Sequence, residues 1–360
     1  MFASKIFKKR RAYLPVLTLS LLLSFLGLIA IYNASVVEGF TDFGDKFYFA
    51  KQQFVWLIIA LLVFFVVSQI KPIFFKHYAS YIFGFSVLLM LLVLIPGFTP
   101  KLQGARRWLV FNSIVIQPSE IFKISLIIYL SSWLEKPKES KLFFAIITFS
   151  LALVMLQPDL GTAIIIAVSA FVLYYLSGVK IINIALPLAI LTVIGSLLVI
   201  SSPYRMRRIS SYLNPESDPQ GASYHINQVL LGLGSGGFLG VGPGRSRQKY
   251  AYLPESTTDS IFVIIAEELG FAGALVLISL FLVLSILAFK IASQAKNLHQ
   301  QLLASGIALL LLLQIFVNLG AMVALLPITG VPLPLISYGG SSLVSTFAAL
   351  GILVSISKTS

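Results

Sequence analysis

The sequence contains no cysteine. Disulfides, thiolate nucleophiles and metal sites built on sulfur are therefore excluded. Charged residues are also scarce, since Asp, Glu, Lys and Arg make up 11% of the chain against about a quarter in soluble domains. No soluble domain, heptad array or low-complexity linker is recognisable between the apolar stretches. These absences exclude an ordinary water-soluble protein.

What the sequence has instead is a series of long apolar runs in a chain that is 58% hydrophobic. A helix of about 20 apolar residues spans the hydrocarbon core of a bilayer. We therefore predict an all-α polytopic membrane protein, a single membrane domain over residues 1–360 with about ten transmembrane helices. The runs are 14–34, 52–70, 78–98, 113–134, 142–157, 161–177, 180–201, 260–290, 301–325 and 340–357.

The short connections predict the orientation. Lysine and arginine gather in the basic N-terminus, residues 1–13, and in alternate loops, and such loops face the cytoplasm. Both termini are then cytoplasmic, and the segment 202–259, between the seventh and eighth helices, is a large extracytoplasmic loop. The first apolar run is long enough to span and has no evident cleavage site, so we interpret it as a retained anchor. The net charge of +13 suits anionic lipid rather than nucleic acid.

Some basic residues lie on the predicted outer face, against the usual charge bias. An anionic ligand would explain them, and so would lipid head groups or a neighbouring protein; charge alone leaves both open. The outer set includes Lys101, Arg106, Arg107, Arg205, Arg207, Arg208, Arg245, Arg247 and Lys249.

Asp259 comes immediately before the apolar run that begins SIFVII, at the outer end of the eighth predicted helix. An aspartate there can cap the helix by accepting hydrogen bonds from its free N–H groups. It can equally serve as a water-accessible catalytic carboxylate. The two roles are compatible, and the spacing alone does not separate them.

Glu267 and Glu268 lie ~12 Å deeper along the same helix, at ~1.5 Å per residue. A carboxylate inside the bilayer costs roughly 2.5–3.5 kcal/mol on insertion scales, so each should face the protein interior. Helical geometry allows only Glu267 to share a cavity with Asp259; the alternative is that one or both glutamates form structural ion pairs between helices. Glu120 and Lys123, three residues apart in QPSEIFK, are predicted to pair locally.

A glycine-rich stretch from Gly232 to Gly244 is followed directly by Arg245, Arg247 and Lys249. Glycines allow a loop to approach a ligand closely, and arginine forks match phosphate oxygens. The combination fits a pyrophosphate, although it is a weak signal and does not match the Walker motif.

Two further segments interrupt the apolar pattern. In QPDLGTA, Gln157 and Asp159 lie at an outer turn, where helix capping is the favoured role of the aspartate. The proline-rich segment LPITGVPLPLISYGGSS must be buried in protein or line a cavity if it lies at membrane depth. Ser337 and Tyr338 are its candidate polar contacts.

These motifs together resemble the SEDS family (shape, elongation, division and sporulation proteins). The matching strings are GARRWL at 104–109, QPSE at 117–120, QPDLGTA at 157–163, the stretch 234–270 and PLPLISYGGSS at 332–342. The string SRQKYAYLPE favours the division branch, FtsW, over the elongation branch, RodA. Thr257, Ser260 and Leu335 depart from the pattern, where His, Phe and Phe are usual.

The resemblance implies a peptidoglycan glycosyltransferase that polymerises lipid II at the outer face of the bacterial cytoplasmic membrane, and at the septum for the division branch. Transfer would invert the anomeric carbon and release polyprenyl pyrophosphate. Asp259 matches the essential aspartate of the family. The predicted substrate-binding residues are Arg106, Arg107, Arg208, Arg245, Lys249, Gln157, Asp159, Glu255, Ser337 and Tyr338.

The resemblance also implies partners: a class B penicillin-binding protein, the FtsI-type transpeptidase, and the division proteins FtsQ, FtsL and FtsB. A divalent cation, Mg²⁺ or Mn²⁺, is expected near the pyrophosphate, and no organic cofactor. Two other functions stay open. A lipid II flippase would use Glu267, Glu268 and Glu120 as a polar path, and a scaffold would only recruit a partner enzyme.

Overall fold

The computed structural model describes residues 2–95, 99, 106–111, 114–136, 140–185, 189, 192–193, 195, 200, 206, 210–214, 223–250 and 253–359. Most of the predicted run 180–201, Arg208 and part of the large loop 202–259 lie outside these residues.

Eleven helices and one small β-hairpin make up the described part of the chain. They are α1 (Phe2–Phe43), α2 (Tyr48–Gln69), α3 (Pro72–His77), α4 (Ala79–Leu94), β1 (Leu109–Phe111), β2 (Ile114–Ile116), α5 (Pro118–Trp133), α6 (Ser140–Met155), α7 (Leu160–Leu176), α8 (Tyr224–Gly236), α9 (Ile261–Ser293), α10 (Leu298–Met322) and α11 (Gly340–Thr359).

Five of these helices contain stretches long and apolar enough to cross a membrane, and three shorter apolar helices accompany them. The five are Leu14–Phe43, Tyr48–Gln69, Ile261–Ser293, Leu298–Met322 and Gly340–Thr359. Every predicted run outside 180–201 coincides with a helix, which confirms the helical membrane class.

The fourth predicted run, 113–134, does not begin as a helix, and this predicted boundary is wrong. Its first residues form β2, which pairs antiparallel with β1 in the register Leu109↔Ile116. The helix α5 begins only at Pro118, after an extended Gln117. Proline suits the first turn of a helix because it has no N–H to leave unpaired.

One end of the helical bundle collects the polar segments. Ser341, at the start of α11, accepts a hydrogen bond from the backbone N–H of Gln117, just before α5 (3.0 Å). Asn318, in the last two turns of α10, donates to the carbonyl of Asp259, just before α9 (2.9 Å). The starts of α5, α9 and α11 therefore meet the end of α10 at one face of the molecule.

Lysines mark the opposite end. Lys358, near the end of α11, donates to the carbonyl of Ser68, near the end of α2 (2.9 Å). Lys76, in α3, pairs with Glu135, just past the end of α5. This lysine-bearing end is the one that the charge pattern predicts to be cytoplasmic.

Helix α9 is broken at Gly270, whose backbone has φ 68° and ψ −170°. The break leaves backbone groups of α9 without helical partners, and such groups must be paired inside a membrane. The glycine-rich loop supplies the partners: Val241 N–H donates to the Glu267 carbonyl and Gly242 N–H to the Glu268 carbonyl, both at 3.0 Å. Beyond the break, Phe271 N–H donates to the Gly237 carbonyl (2.9 Å).

The glycine-rich loop is therefore joined to the broken helix by backbone hydrogen bonds, and we call this region the glycine junction (Gly237–Gly242 with Glu267–Phe271). A Cβ at Gly240 would overlap the carbonyl of Glu268, and one at Gly270 would overlap the backbone of Gly240. Neither the break nor the helix α8 was predicted from the sequence.

Candidate active site

Asp259 lies in a tight turn that we call the strap (Leu253–Ser260). Glu255 has a left-handed backbone, φ 51°. Its carbonyl accepts hydrogen bonds from the backbone N–H of Thr258 (3.1 Å) and of Ser260 (3.0 Å). Its exposed carboxylate accepts from the Thr258 hydroxyl (2.8 Å). Glu255 thus shapes the turn that leads to Asp259.

Of the positions that the sequence left open to Asp259, the N-cap of α9 is occupied by its neighbour Ser260. Helix α9 begins at Ile261 with Ser260 in the N-cap position, so Asp259 lies one residue too early. The Ser260 hydroxyl makes no capping bond and lies 2.8 Å from Nε2 of His225, on α8. Asp259 is half-buried, and a Cβ added to Gly330 would lie 3.5 Å from its Oδ2. The carboxylate therefore faces Gly330, in the proline-rich segment.

Three successive carbonyls of the strap accept hydrogen bonds from outside it. Tyr338 N–H donates to the Thr257 carbonyl (2.9 Å). The Ser337 hydroxyl donates to the Thr258 carbonyl (2.6 Å), and the Asn318 amide to the Asp259 carbonyl (2.9 Å). The strap is thus fixed along its backbone at three consecutive residues that end with Asp259.

The proline-rich segment that supplies two of these donors is itself held in place. The Tyr338 hydroxyl donates to Oε1 of Gln52 (2.5 Å), and Gln53 donates to the Ser337 carbonyl (3.3 Å). Burial, followed by the nearby Tyr48 and Glu38, raises the pKa of Tyr338 to about 12. The phenol is therefore a neutral donor at any physiological pH. Ser337 and Tyr338 make the polar contacts predicted for this segment, and these contacts are with the protein.

The QPDLGTA turn lies beside the same segment. Asp159 caps α7, accepting from the backbone N–H (3.0 Å) and the hydroxyl (2.8 Å) of Thr162, so its predicted capping role is confirmed. A Cβ at Gly161 would lie 2.5 Å from Val331 and 3.0 Å from Thr329. Because those residues flank Gly330, the turn borders the wall that Asp259 faces.

Two predicted substrate-binding residues at this turn, Arg107 and Gln157, form hydrogen bonds within the protein. The Arg107 guanidinium donates to the carbonyls of Gln157 (2.9 Å) and Pro158 (2.6 Å). The buried Gln157 side chain donates to the Met90 carbonyl (3.1 Å). Arg106 differs, since its Nε is buried without a hydrogen-bond partner among the described residues. Arg106 is therefore the better placed of the two arginines to bind an added anion.

Glu267 holds the loop that carries the arginines (Arg245–Lys249), which we call the arginine loop. Its buried carboxylate accepts from the backbone N–H of Arg247 (3.1 Å) and of Gln248 (3.4 Å), and from the hydroxyls of Ser235 (3.2 Å) and Ser246. These contacts are hydrogen bonds to neutral groups, and among the described residues the ion pair expected of one or both glutamates belongs to Glu268. The side chains of Arg245 and Arg247 stay exposed.

Lys249 is not at the surface. Its ammonium lies 3.9 Å from Oε1 of Glu268, with both side chains buried, and it donates to the Gly244 carbonyl. The other Glu268 oxygen accepts from the Asn33 amide of α1 (3.0 Å). The predicted structural ion pair of Glu268 is confirmed, but the predicted contact of Lys249 with substrate conflicts with its burial. A buried cation is favourable only when paired, and Glu268 supplies that pair.

Glu120 and Lys123 form the predicted local ion pair at 2.7 Å. Both are almost fully buried, at 3% and 1% exposed. The second Glu120 oxygen accepts from the Ser345 hydroxyl of α11 (3.2 Å). The pair thus links two helices.

Loss of the Glu267 carboxylate is expected to release the arginine loop. Glu267→Ala would remove the acceptor of the Arg247 and Gln248 N–H groups and of the Ser246 hydroxyl, and each hydrogen bond to a charged group is worth about 1.5–3 kcal/mol. We expect a lower unfolding temperature and faster tryptic cleavage at Arg245 and Arg247. Ser235→Ala is the control, because it removes one bond to the same carboxylate, from a hydroxyl that also reaches the Gly232 carbonyl (2.9 Å), and it should lower stability less than Glu267→Ala does. Equal protease resistance of Glu267→Ala and wild type would contradict this role.

Sequence reasoning did not select Asn318, His225, Gln53 or Gly330. Asn318 carried a usable signal, because a polar side chain inside an apolar run is costly unless it has partners. His225 and Gly330 carried none, since their neighbours come from distant parts of the chain.

Known proteins resemble this chain over nearly its whole length. The family model described as "Cell cycle protein", for FtsW, RodA and SpoVE, matches residues 13–360. Stage V sporulation protein E of Bacillus subtilis is 37% identical over 98% of this chain and 99% of its own length. A probable peptidoglycan glycosyltransferase FtsW of Coxiella burnetii is 38% identical over 96% of this chain and 95% of its own.

Solved structures agree with the sequence matches. A chain from work on the structural coordination of polymerization and crosslinking by a peptidoglycan synthase complex superposes with a TM-score of 0.78, at 28% identity over 96% of this chain and 97% of that one. The rod shape determining protein RodA of Thermus thermophilus gives a TM-score of 0.68 at 28% identity, covering 95% of each chain. The chain belongs to the FtsW, RodA and SpoVE family of cell cycle proteins, the SEDS family that its motifs resemble.

Proposed function

We propose that this protein is a peptidoglycan glycosyltransferase that polymerises lipid II into glycan strands at the outer face of the cytoplasmic membrane. The observation that carries the proposal is the half-buried Asp259 carboxylate on a strap fixed through three backbone carbonyls. A relative named as a peptidoglycan glycosyltransferase and a solved peptidoglycan synthase chain support it.

Asp259 is the proposed general base. The 4-hydroxyl of the acceptor sugar attacks the anomeric carbon of the donor, forming one C–O bond with inversion, while the bond to the lipid pyrophosphate breaks. Asp259 takes the hydroxyl proton, and polyprenyl pyrophosphate leaves with the bonding electrons. General bases of this kind typically contribute 10²–10⁴-fold, by rough estimate.

Negative charge grows on the pyrophosphate as that bond breaks, and nearby cations stabilise it. Arg106, with its unpartnered buried nitrogen, and the exposed Arg245 and Arg247 are the proposed groups. Arg208 lies outside the described residues, and we propose the same role for it. Arg107 and Lys249 are proposed to act indirectly, Arg107 through the turn it holds and Lys249 through the loop carbonyl it binds.

The proposed orientation in the membrane places the candidate active site on the outer face. About ten helices, cytoplasmic termini and an extracytoplasmic 202–259 loop would place Asp259 outside, where the disaccharide of lipid II is presented. The lysine-bearing end opposite the site supports this orientation. We assign the protein to the division branch, and so to the septum, on its SRQKYAYLPE string and its FtsW relative.

The proposed partner is a class B penicillin-binding protein, an FtsI-type transpeptidase that cross-links the new strands. The likeness to a chain of a peptidoglycan synthase complex, in which polymerization and crosslinking are coordinated, supports this choice. FtsQ, FtsL and FtsB follow from the division branch alone. For the expected Mg²⁺ or Mn²⁺, the described residues contain no group of three or more His, Asp and Glu side chains that could hold it. No step is therefore assigned to a metal.

The buried carboxylates argue against the transporter alternative. Glu120, Glu267 and Glu268 each have local partners within the protein. A polar path needs groups that can exchange partners with a passing substrate.

The direct test is synthesis from labelled lipid II in detergent by the purified protein with its transpeptidase partner. The partner's transpeptidase site is blocked with a β-lactam, so that uncross-linked strands remain. We expect a ladder of glycan strands that requires this protein and is absent with the partner alone. A ladder made equally well by the partner alone would indicate a scaffold and contradict the proposal.

A further inference from the structure

Asn318 is the polar residue of α10 that touches the candidate site. It is 1% exposed. Its amide nitrogen donates to the Asp259 carbonyl (2.9 Å) and to the Val331 carbonyl (2.8 Å). One side chain therefore joins the strap to the proline-rich segment, next to the Gly330 that faces the Asp259 carboxylate.

An amide is well suited to this position. Two carbonyl oxygens converge on the side chain, and a neutral –NH₂ group supplies two donors at once. A hydroxyl could serve only one of the carbonyls, while an ammonium would bring a charge into a buried site. The two acceptors also fix which end of the amide is nitrogen, since an oxygen there would face two carbonyl oxygens.

Two buried amides of α10 each have an atom without a hydrogen-bond partner. The remaining Asn318 oxygen is buried without a hydrogen-bond partner among the described residues, and so is the Gln314 amide nitrogen one turn earlier on the same helix. Unpaired buried polar atoms lower stability and are uncommon in folded proteins. What distinguishes Asn318 from Gln314 is its nitrogen, since both carbonyls that it binds belong to the segments around Asp259.

We infer that Asn318 is a positioning residue that sets the direction of the Asp259 carboxylate. The inference rests on the proposed function. By holding the carbonyl of Asp259 itself, Asn318 fixes the backbone from which the carboxylate projects. By holding Val331, it also fixes the wall that the carboxylate faces. A general base must lie within hydrogen-bond distance of the proton it removes, so a shift of the strap would lower kcat more than it weakens substrate binding.

The test compares Asn318→Ala with Gln314→Ala in the lipid II polymerisation assay. Both variants remove a buried amide from the same face of α10, but only Asn318 contacts the strap. We expect Asn318→Ala to lower kcat by about 10²-fold, the loss caused by a displacement of ~1 Å at a reacting group, with little change in KM for lipid II. Gln314→Ala is expected to keep the wild-type kcat.

A second variant covers the case in which Asn318→Ala does not fold. Ser337→Ala removes one carbonyl contact of the strap without altering α10, and we expect a smaller loss in kcat with KM again unchanged. Wild-type kcat in a folded Asn318→Ala protein, or equal losses in Asn318→Ala and Gln314→Ala, would overturn the inference. Absence of polymer from the wild type itself would instead overturn the proposed function.

Discussion

Replacing Asp259 by asparagine is expected to abolish strand synthesis while leaving the protein folded. Asparagine has nearly the same shape, and the three hydrogen bonds that fix the strap reach backbone carbonyls, which the substitution retains. The substitution removes the negative charge and the ability to accept a proton. Loss of a general base costs roughly 10²–10⁴-fold in rate, so kcat should fall by that factor.

The measurement is polymer formed per minute from saturating lipid II, beside the unfolding temperature and the affinity for lipid II. Both of the latter should match the wild type. Asp259→Ala serves as a second variant and should be equally inactive. An Asp259→Asn protein that polymerises at more than a tenth of the wild-type rate would show that Asp259 is not the base.

Replacing a glycine of the glycine junction by alanine is expected to cause a large loss in the free energy of unfolding. Gly270 has a backbone conformation, φ 68° and ψ −170°, that is essentially restricted to glycine and costs other residues about 1–3 kcal/mol. A Cβ there, or at Gly240, would also overlap backbone atoms across the junction, and overpacking typically adds about 1–3 kcal/mol. We therefore expect Gly240→Ala and Gly270→Ala each to lose roughly 2–6 kcal/mol, combining the two terms.

Gly244→Ala is the matched control. Gly244 also has a positive φ, 74°, but a Cβ there would meet nothing within 4 Å. The control therefore carries the conformational cost without the overlap. Unfolding in detergent, followed by intrinsic fluorescence, should give a clearly higher unfolding temperature for Gly244→Ala than for the other two variants. Equal unfolding temperatures for all three would mean that the backbone contacts of the junction do not stabilise the protein.

The positions of the helices were predictable because apolar length is a strong signal in a membrane. Outside the run 180–201, most of which is not described, the predicted runs coincide with helices apart from their ends, and the Glu120–Lys123 pair followed from helical spacing. Asp259 was also identified as the central carboxylate, from its place before α9 and from the family resemblance.

The contacts of the site were not predictable, because they join segments far apart in the sequence. The sequence left the capping role of Asp259 open because it does not show the strap. The turn at Glu255 and the external donors place Ser260 at the N-cap and the helix start at Ile261. Lys249 follows an arginine-rich string in sequence, yet the fold turns it inward to Glu268. Asn318 was passed over because the strap carbonyls that it binds are visible only in three dimensions.

The central claim is that strands are made from lipid II at the face that carries Asp259. The most direct measurement supplies labelled lipid II only to the outer leaflet of proteoliposomes, with the penicillin-binding partner present. The fraction of protein with the Asp259 end outward is read from protease cleavage at the lysine-bearing end. The account predicts polymer that scales with this fraction and is digested by muramidase added outside. Movement of intact lipid II to the inner leaflet, with no polymer formed, would contradict it and indicate a transporter.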